Sequence, residues 1–257
     1  MINEKLMSAF GLEGKIALVT GGGTGLGFAM TECLVAAGAR VIIAGLFKDE
    51  LDQACNKLGN SVIGIEFDVT NTDKAQKLVD DIVSRYGRLD ILINNAGVHC
   101  KKPLEEVTME NLQNVLNVHL FGAYALTQAA VPHMRRNKSG NIIFISSMSA
   151  FIGLTDVTAY SAAKSAVLGL VKTISGEIAK DGVRVNAIVP GFIDSPMFRQ
   201  ATEKDPDRQK KILGHTPMQR YGEAEDIGWA AVYLSSKASR FVTGTALLVD
   251  GGCAIGF

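Results

Sequence analysis

Short runs of β-branched and aliphatic residues recur along the chain, separated by longer stretches in which apolar residues return every three or four positions. The runs at 16–20, 40–45, 61–67, 89–94, 141–147, 183–189 and 245–250 predict strands. Most are apolar on both alternating faces, as central strands covered by helices from each side must be. Between them, "TDKAQKLVDDIVSRYG" (72–87) sets Leu78, Ile82 and Val83 along one side with charges elsewhere, which predicts a crossover helix. Further helices are expected around 108–134 and 158–180. Repeated strand–helix–strand order implies a parallel sheet with right-handed crossovers. The expected fold is therefore α/β, a single doubly wound domain over 1–257 with about seven parallel strands and helices on both faces. The stretch 196–220 breaks the rhythm because it is charged, long and strandless. A small helical substrate lobe or lid at about 196–214 fits there better than a structureless loop.

Composition narrows the possible functions. At 257 residues and 47% hydrophobic, the chain can bury a substantial core. Its 26 basic and 26 acidic residues cancel, which leaves no electrostatic case for nucleic acid or an anionic membrane as partner. The four cysteines (Cys33, Cys55, Cys100, Cys253) form no CxxC pair and no zinc-like spacing with histidine, so no metal is expected. They read as free thiols in a reducing compartment. The start, "MINEKLMSAFGLEGK", lacks the apolar core of a secretory leader, and no apolar run reaches bilayer-spanning length. A cytoplasmic protein is expected.

The segment "TGGGTGLG" (20–27) follows the first strand and opens a helix. Glycine is costly to hold in place, so such a turn needs either unusual backbone angles or the absence of side chains. Ligands of open parallel sheets bind beyond the carboxyl ends of the strands, where a helix N-terminus suits a phosphate. The loop thus reads as a dinucleotide cradle, although a glycine-rich turn without ligand competes when the motif is taken alone. Its spacing, Thr20-Gly21-x-x-x-Gly25-x-Gly27, is not the G-x-G-x-x-G form.

Other motifs follow in order: "DVT" (68–70) after the third strand, "NNAG" (94–97) after the fourth, Asn117 in "LQNVLNVHLFGAY", Ser147, Tyr160 and Lys164 in "SSMSAFIGLTDVTAYSAAK", and "PGFIDS" (190–195) after the sixth. Together with the glycine spacing, this series resembles the short-chain dehydrogenase/reductase family over about residues 12–252. The resemblance implies a Rossmann-type, NAD(P)-dependent oxidoreductase. It implies that Gly21, Gly25, Leu26 and Gly27 contact the pyrophosphate, Asp68 and Val69 the adenine, and Asn95, Ala96 and Gly97 the adenine ribose side. Pro190, Gly191, Ile193 and Ser195 would hold the nicotinamide, and Lys164 with Tyr160 would meet its ribose.

Transfer of hydride between an alcohol and a ketone needs a group that moves a proton at the same time. Free tyrosine, with a pKa of about 10, is a poor base near neutrality. Lys164 lies four residues after Tyr160, on the same face of a helix, and its ammonium favours the phenolate. A Tyr-x-x-x-Lys pair alone is commonly an ordinary helix face; the accompanying motifs give this one its meaning. The resemblance assigns Ser147 to the substrate oxygen and Asn117 to a water linking Lys164 to solvent. Ser146 and Ser149 compete with Ser147 by position, and spacing favours Ser147.

The second strand ends "AGLFKDE". An acidic residue there selects NAD and a nearby arginine selects NADP. Gly45 stands at the acidic position, Leu46 where NADP users carry arginine, and Thr24 where the glycine loop often carries a base. Lys48 starts a helix and reads as solvated. The balance tilts slightly to NAD over NADP. The tail 215–252 is similar to gluconate 5-dehydrogenase-like sugar-acid oxidoreductases, which implies a sugar acid or polyol as substrate. Lys101 and Lys102 are candidates to attract a carboxylate, with a solvated loop as the plainer reading. Phe151, Asp156, Phe192, Met197 and Phe198 are candidates to line the pocket, and His99 and His119 stay unassigned. A 3-oxoacyl thioester reductase shares every motif, and a non-catalytic dinucleotide-binding regulatory protein is the alternative outside enzymology. Surplus apolar surface on the helices around 108–134 and 158–180, read with the resemblance, implies a homotetramer.

Overall fold

In the computed structural model the described residues are 2–194, 198–199 and 206–255. Strands β1 (Ile16–Thr20), β2 (Arg40–Gly45), β3 (Val62–Glu66), β4 (Ile91–Asn94), β5 (Gly140–Ile145), β6 (Val183–Pro190), β7 (Ile193–Asp194), β8 (Gly222–Glu223) and β9 (Ala246–Val249) alternate with helices. The helices are α1 (Ile2–Phe10), α2 (Gly25–Ala36), α3 (Lys48–Leu58), α4 (Ala75–Tyr86), α5 (Met109–Leu116), α6 (Ala123–Arg136), α7 (Thr158–Ile178), α8 (Pro206–His215) and α9 (Ala224–Ser235). Seven strands form one parallel sheet in the order β3-β2-β1-β4-β5-β6-β9, and β7 pairs with β8 beside it.

The chain winds outward from β1 to β3, then returns to β4 and continues the other way, so strand order reverses between β1 and β4. That crevice is where a doubly wound sheet holds its ligand. β1 and β4 are buried along their whole length, whereas the edge strands β3 and β9 are partly exposed. Alternation along β1, β2 and β4 divides the core: Leu18, Ile42 and Leu92 face a layer with α4, α6 and α7, while Val19, Ile43 and Ile93 face α2 and α9. At the N-terminal ends of the strands, buried Asp90 accepts hydrogen bonds from Lys15 Nζ (3.0 Å), the Ile16 N–H (3.0 Å) and Arg88. This tie joins β1 to β4 far from the crevice.

The structure corrects two sequence boundaries near the site. The segment 108–134 is not one helix: α5 stops at Leu116, residues 117–122 form a wider π-helical turn, and α6 begins at Ala123. Gly122 packs so closely on Val69 that a Cβ would stand 2.6 Å from the Val69 carbonyl oxygen. The fifth strand ends at Ile145 rather than 147, because Ser147 turns away to accept a hydrogen bond from the Ser149 N–H (3.2 Å). Helix α1 and the small β7–β8 pair have no counterpart in the sequence reading. Of the expected lobe, 206–214 lies in α8; Ser195, Met197 and the rest of 196–205, save 198–199, lie outside the described residues.

Candidate active site

The loops after β1 and β4 are zipped together by Thr20. Its Oγ1 accepts from the Asn95 and Ala96 N–H groups (3.0 Å each) and donates to the Ile93 carbonyl (3.3 Å). Asn95 Nδ2 donates in return to the carbonyls of Thr20 (2.9 Å) and Gly21 (3.2 Å). Gly21 (φ +63°) and Gly25 (φ +53°) occupy the left-handed region that other residues avoid. A Cβ on Gly27 would collide with the Gly21 carbonyl oxygen. The turn is therefore a backbone-lined cradle, and α2 starts within it. Thr24, the residue preceding α2, does not cap the helix with its side chain, so the amides of the first turn remain directed at an incoming anion.

A cleft of about 190 Å³ opens beside the cradle, lined by Gly21, Thr24, Leu46, Asp68, Val69, Ala96 and Gly97 among others. Asp68 Oδ1 accepts from the Thr70 N–H and hydroxyl (2.8 Å each), which sets the turn after β3. Leu26 packs at the edge of the core beneath the cradle. Across the sheet, Pro190 ends β6 and the Gly191 N–H donates to the Val249 carbonyl (3.0 Å). Ile193 pairs with Gly222 in the small sheet. The shape, the bare backbone and the helix end fit a dinucleotide.

At the end of β2, Leu46 and Phe47 are exposed. Lys48 is held by Asp52 (2.6 Å) on its own helix. A Cβ on Gly45 would make only ordinary contact with Leu51 Cδ2 at 3.4 Å, so room for an acidic side chain exists and is left empty of charge.

Tyr160 and Lys164 lie one turn apart on α7, with Lys164 Nζ 5.4 Å from the Tyr160 ring centre. Lys164 is buried and donates to the Ile145 carbonyl (2.7 Å); burial pushes its pKa down to about 7. Burial also pushes the Tyr160 phenol up, and a hydrogen bond joining it to the Ser147 hydroxyl pulls the other way. Burial thus dominates the shift of the phenol, and Ser147 is the group that opposes it. Ser146 faces inward and donates to the Lys164 carbonyl (3.0 Å), and Ser149 is buried, so Ser147 is the serine that meets Tyr160. Asn117 opens the π-helical turn, its Oδ1 accepting from Gln113 Nε2 (2.7 Å). That turn packs against α7.

Two histidines that the sequence reading left unassigned flank Tyr160. His99 stacks on its ring (centres 5.1 Å apart, 25° between planes), and His119 meets it edge-on (5.3 Å, 86°). His119 is buried, fills the space a side chain on Gly97 would need, and bonds the Val98 backbone through Nε2 (2.8 Å to the carbonyl). Burial, then the Lys164 charge, pushes its pKa down to about 3, so it stays neutral. Lys102 is not free for substrate: its Nζ donates to Asn111 Oδ1 (3.0 Å) and its N–H to the Asp156 carbonyl (2.8 Å), while Lys101 is exposed. Asp156 takes a left-handed φ of +65°, and Phe151 is exposed. Phe192 and Phe198 pack together (5.9 Å), with Tyr221 against Phe198 (4.9 Å). Among the described residues no cluster of three or more histidines, cysteines or carboxylates is arranged to hold a metal.

A family model described as enoyl-(acyl carrier protein) reductase matches residues 21–254. The chain is 36% identical to the 3-oxoacyl-(acyl-carrier-protein) reductase of Thermotoga maritima, over 95% of this chain and 99% of that protein. It is 39% identical to the 2-dehydro-3-deoxy-D-gluconate 5-dehydrogenase of Bacillus subtilis, over 96% and 97%. Among solved structures, a gluconate 5-dehydrogenase from Burkholderia cenocepacia in complex with NADP and tartrate superposes with a TM-score of 0.92 at 30% identity, covering 98% of this chain and 100% of that one. With a Rossmann-type sheet, a glycine cradle at its switch point and these relatives along nearly its whole length, the chain belongs to the short-chain dehydrogenase/reductase family of oxidoreductases.

Proposed function

We propose that this protein interconverts a secondary alcohol and a ketone on a sugar acid or polyol, with Tyr160 as general acid/base. The observation that carries the alcohol–ketone chemistry is the meeting of Tyr160, Ser147 and Lys164 at the carboxyl end of β5; the choice of a sugar acid or polyol rests on the relatives. In oxidation the carbinol C–H and O–H bonds break, and the proton passes from the substrate oxygen to Tyr160. A bound nicotinamide dinucleotide supplies the hydride acceptor, or the donor in reverse. Ser147 donates to the substrate oxygen as charge develops on it. Lys164, when protonated, favours the phenolate, and Asn117 forms the outer part of a proton path from Lys164.

For the dinucleotide we assign Gly21, Gly25, Leu26 and Gly27 to the pyrophosphate, Asp68, Val69, Asn95, Ala96 and Gly97 to the adenosine half, and Pro190, Gly191 and Ile193 to the nicotinamide. Gly45 presents no carboxylate to repel a 2′-phosphate, and neither Leu46 nor Thr24 offers a cation to attract one. Use of either NAD or NADP follows. The NADP held by the Burkholderia relative supports the phosphorylated form, and the lean to NAD from sequence finds no comparable support. The Bacillus and Burkholderia relatives support a sugar acid as substrate, whereas the Thermotoga relative supports a second reading, reduction of a 3-oxoacyl thioester.

The test crosses NAD and NADP against aldonic acids, polyols and a 3-oxoacyl thioester, following nicotinamide absorbance. Turnover of a sugar acid or polyol is expected. Turnover of the thioester alone would move the protein to the second reading, and silence with cofactor still bound would favour a regulatory dinucleotide-binding protein. We also propose a homotetramer, from apolar Phe121, Tyr124, Trp229 and Leu248 left exposed on α6, α9, β9 and the π-helical turn. Four free thiols fit a reducing cytoplasm, which cell fractionation checks.

A further inference from the structure

We infer that His99 is a substrate-positioning residue, whose imidazole hydrogen-bonds a hydroxyl next to the reacting carbon. The inference rests on the sugar-acid or polyol reading and deepens it.

His99 directly follows the Gly97–Val98 turn after β4, and it is exposed where the core residues around it are not. Its ring lies nearly parallel to the Tyr160 ring, which fixes it beside the hydroxyl that handles the proton. The loop carrying it is pinned at both ends. Val98 is bonded through its backbone to His119 Nε2, its N–H donating over 3.1 Å or its carbonyl accepting over 2.8 Å according to tautomer. Lys102 is tied by its N–H to the Asp156 carbonyl (2.8 Å) and by its ammonium to Asn111 (3.0 Å). A side chain held between two such anchors has little freedom to lose when a ligand arrives. His99 is solvent-exposed although its ring covers one face of Tyr160, so part of the residue stays open to a ligand.

Chemistry then selects the ligand group. Partial burial against Tyr160, and next the Lys164 ammonium, hold the His99 pKa below its ordinary value. Near neutral pH the ring therefore carries one N–H donor and one bare nitrogen acceptor. That pair matches a hydroxyl, which also donates and accepts, better than it matches a carboxylate, which only accepts. Lys102, which anchors this loop, is already bound to Asn111 and does not compete with His99 for that hydroxyl.

The test compares wild type, His99→Phe and His99→Gln with D-gluconate, with D-sorbitol and with a deoxy analogue lacking the hydroxyl beside the reacting carbon. Phenylalanine keeps the stack and loses both hydrogen bonds; glutamine keeps a donor and an acceptor and loses the ring. For His99→Phe, KM for the hydroxylated substrate should rise about tenfold to a hundredfold with kcat changed less than about threefold. The deoxy analogue should be unaffected, and His99→Gln should recover most of the loss. An unchanged KM, an equal rise for the deoxy analogue, or a fall in kcat at constant KM would overturn the inference while leaving the functional reading intact. Wild type inactive on D-gluconate and D-sorbitol alike would instead overturn the functional reading, and this inference with it.

Discussion

Lys164 lies inside the protein with its ammonium donating to the Ile145 carbonyl, and burial brings its pKa to about 7. In the unfolded chain the same group holds its proton to about pH 10.4. Between pH 7 and 9 the unfolded state therefore binds a proton that the folded state has released, and stability rises with pH in that window. The slope approaches about 1.4 kcal/mol per pH unit at most. Buried Cys33 works the opposite way above pH 9, because its thiol is pushed up to about 12 while the unfolded thiol ionises. Chemical denaturation between pH 7 and 9 should show this rise in wild type and lose it in Lys164→Met. A flat wild-type profile would mean that the lysine keeps an ordinary pKa in the folded protein. The same burial bears on catalysis, since a lysine that loses its proton near neutrality favours the Tyr160 phenolate only while it stays charged.

Individual elements differ in how far they could be read ahead of the structure. β1, β2 and β4 were legible because strands buried on both faces are apolar along nearly their whole length, and β6 was legible from its β-branched run in spite of Arg184 and Asn186. The break between α5 and α6 was not. Residues 117–122 keep a helical apolar rhythm, and the wider turn answers to the packing of Gly122 on Val69, a residue from another part of the chain. The end of β5 at Ile145 is hidden in the sequence because "ISS" still reads as strand, and the turn depends on the Ser147 side chain bonding locally. That Ser147, Tyr160 and Lys164 lie close together was legible from the ordered series of motifs, with Tyr160 and Lys164 on one helix face. Thr20 as the clasp between two loops could not, because β1 and β4 become neighbours only through the sheet order. His99 and His119 stood in view as residues, but their contact with Tyr160 depends on how α7 and the π-helical turn come together.

At the scale of the molecule, the reversal of strand order sets the glycine cradle, the loop after β4 and the end of β5 along one edge of the sheet, and the Asp90 cluster keeps the opposite edge closed. One edge carries the proposed site, and the other is tied together by the hydrogen bonds to buried Asp90. The faces left over carry exposed Phe121 and Tyr124 on the α6 side of the sheet and exposed Trp229 on the α9 side, the residues from which the tetramer is proposed. Light scattering should give four times the chain mass of 27.4 kDa, and a single-chain mass would contradict the proposed assembly. The proposed chemistry turns on the proton carried by Tyr160, and single-turnover hydride transfer in Tyr160→Phe, with cofactor affinity measured on the same sample, tests that proton most directly. Loss of about a hundredfold or more in the transfer rate, with cofactor binding and melting temperature close to wild type, is the expected result. Transfer at the wild-type rate in that variant would contradict the account.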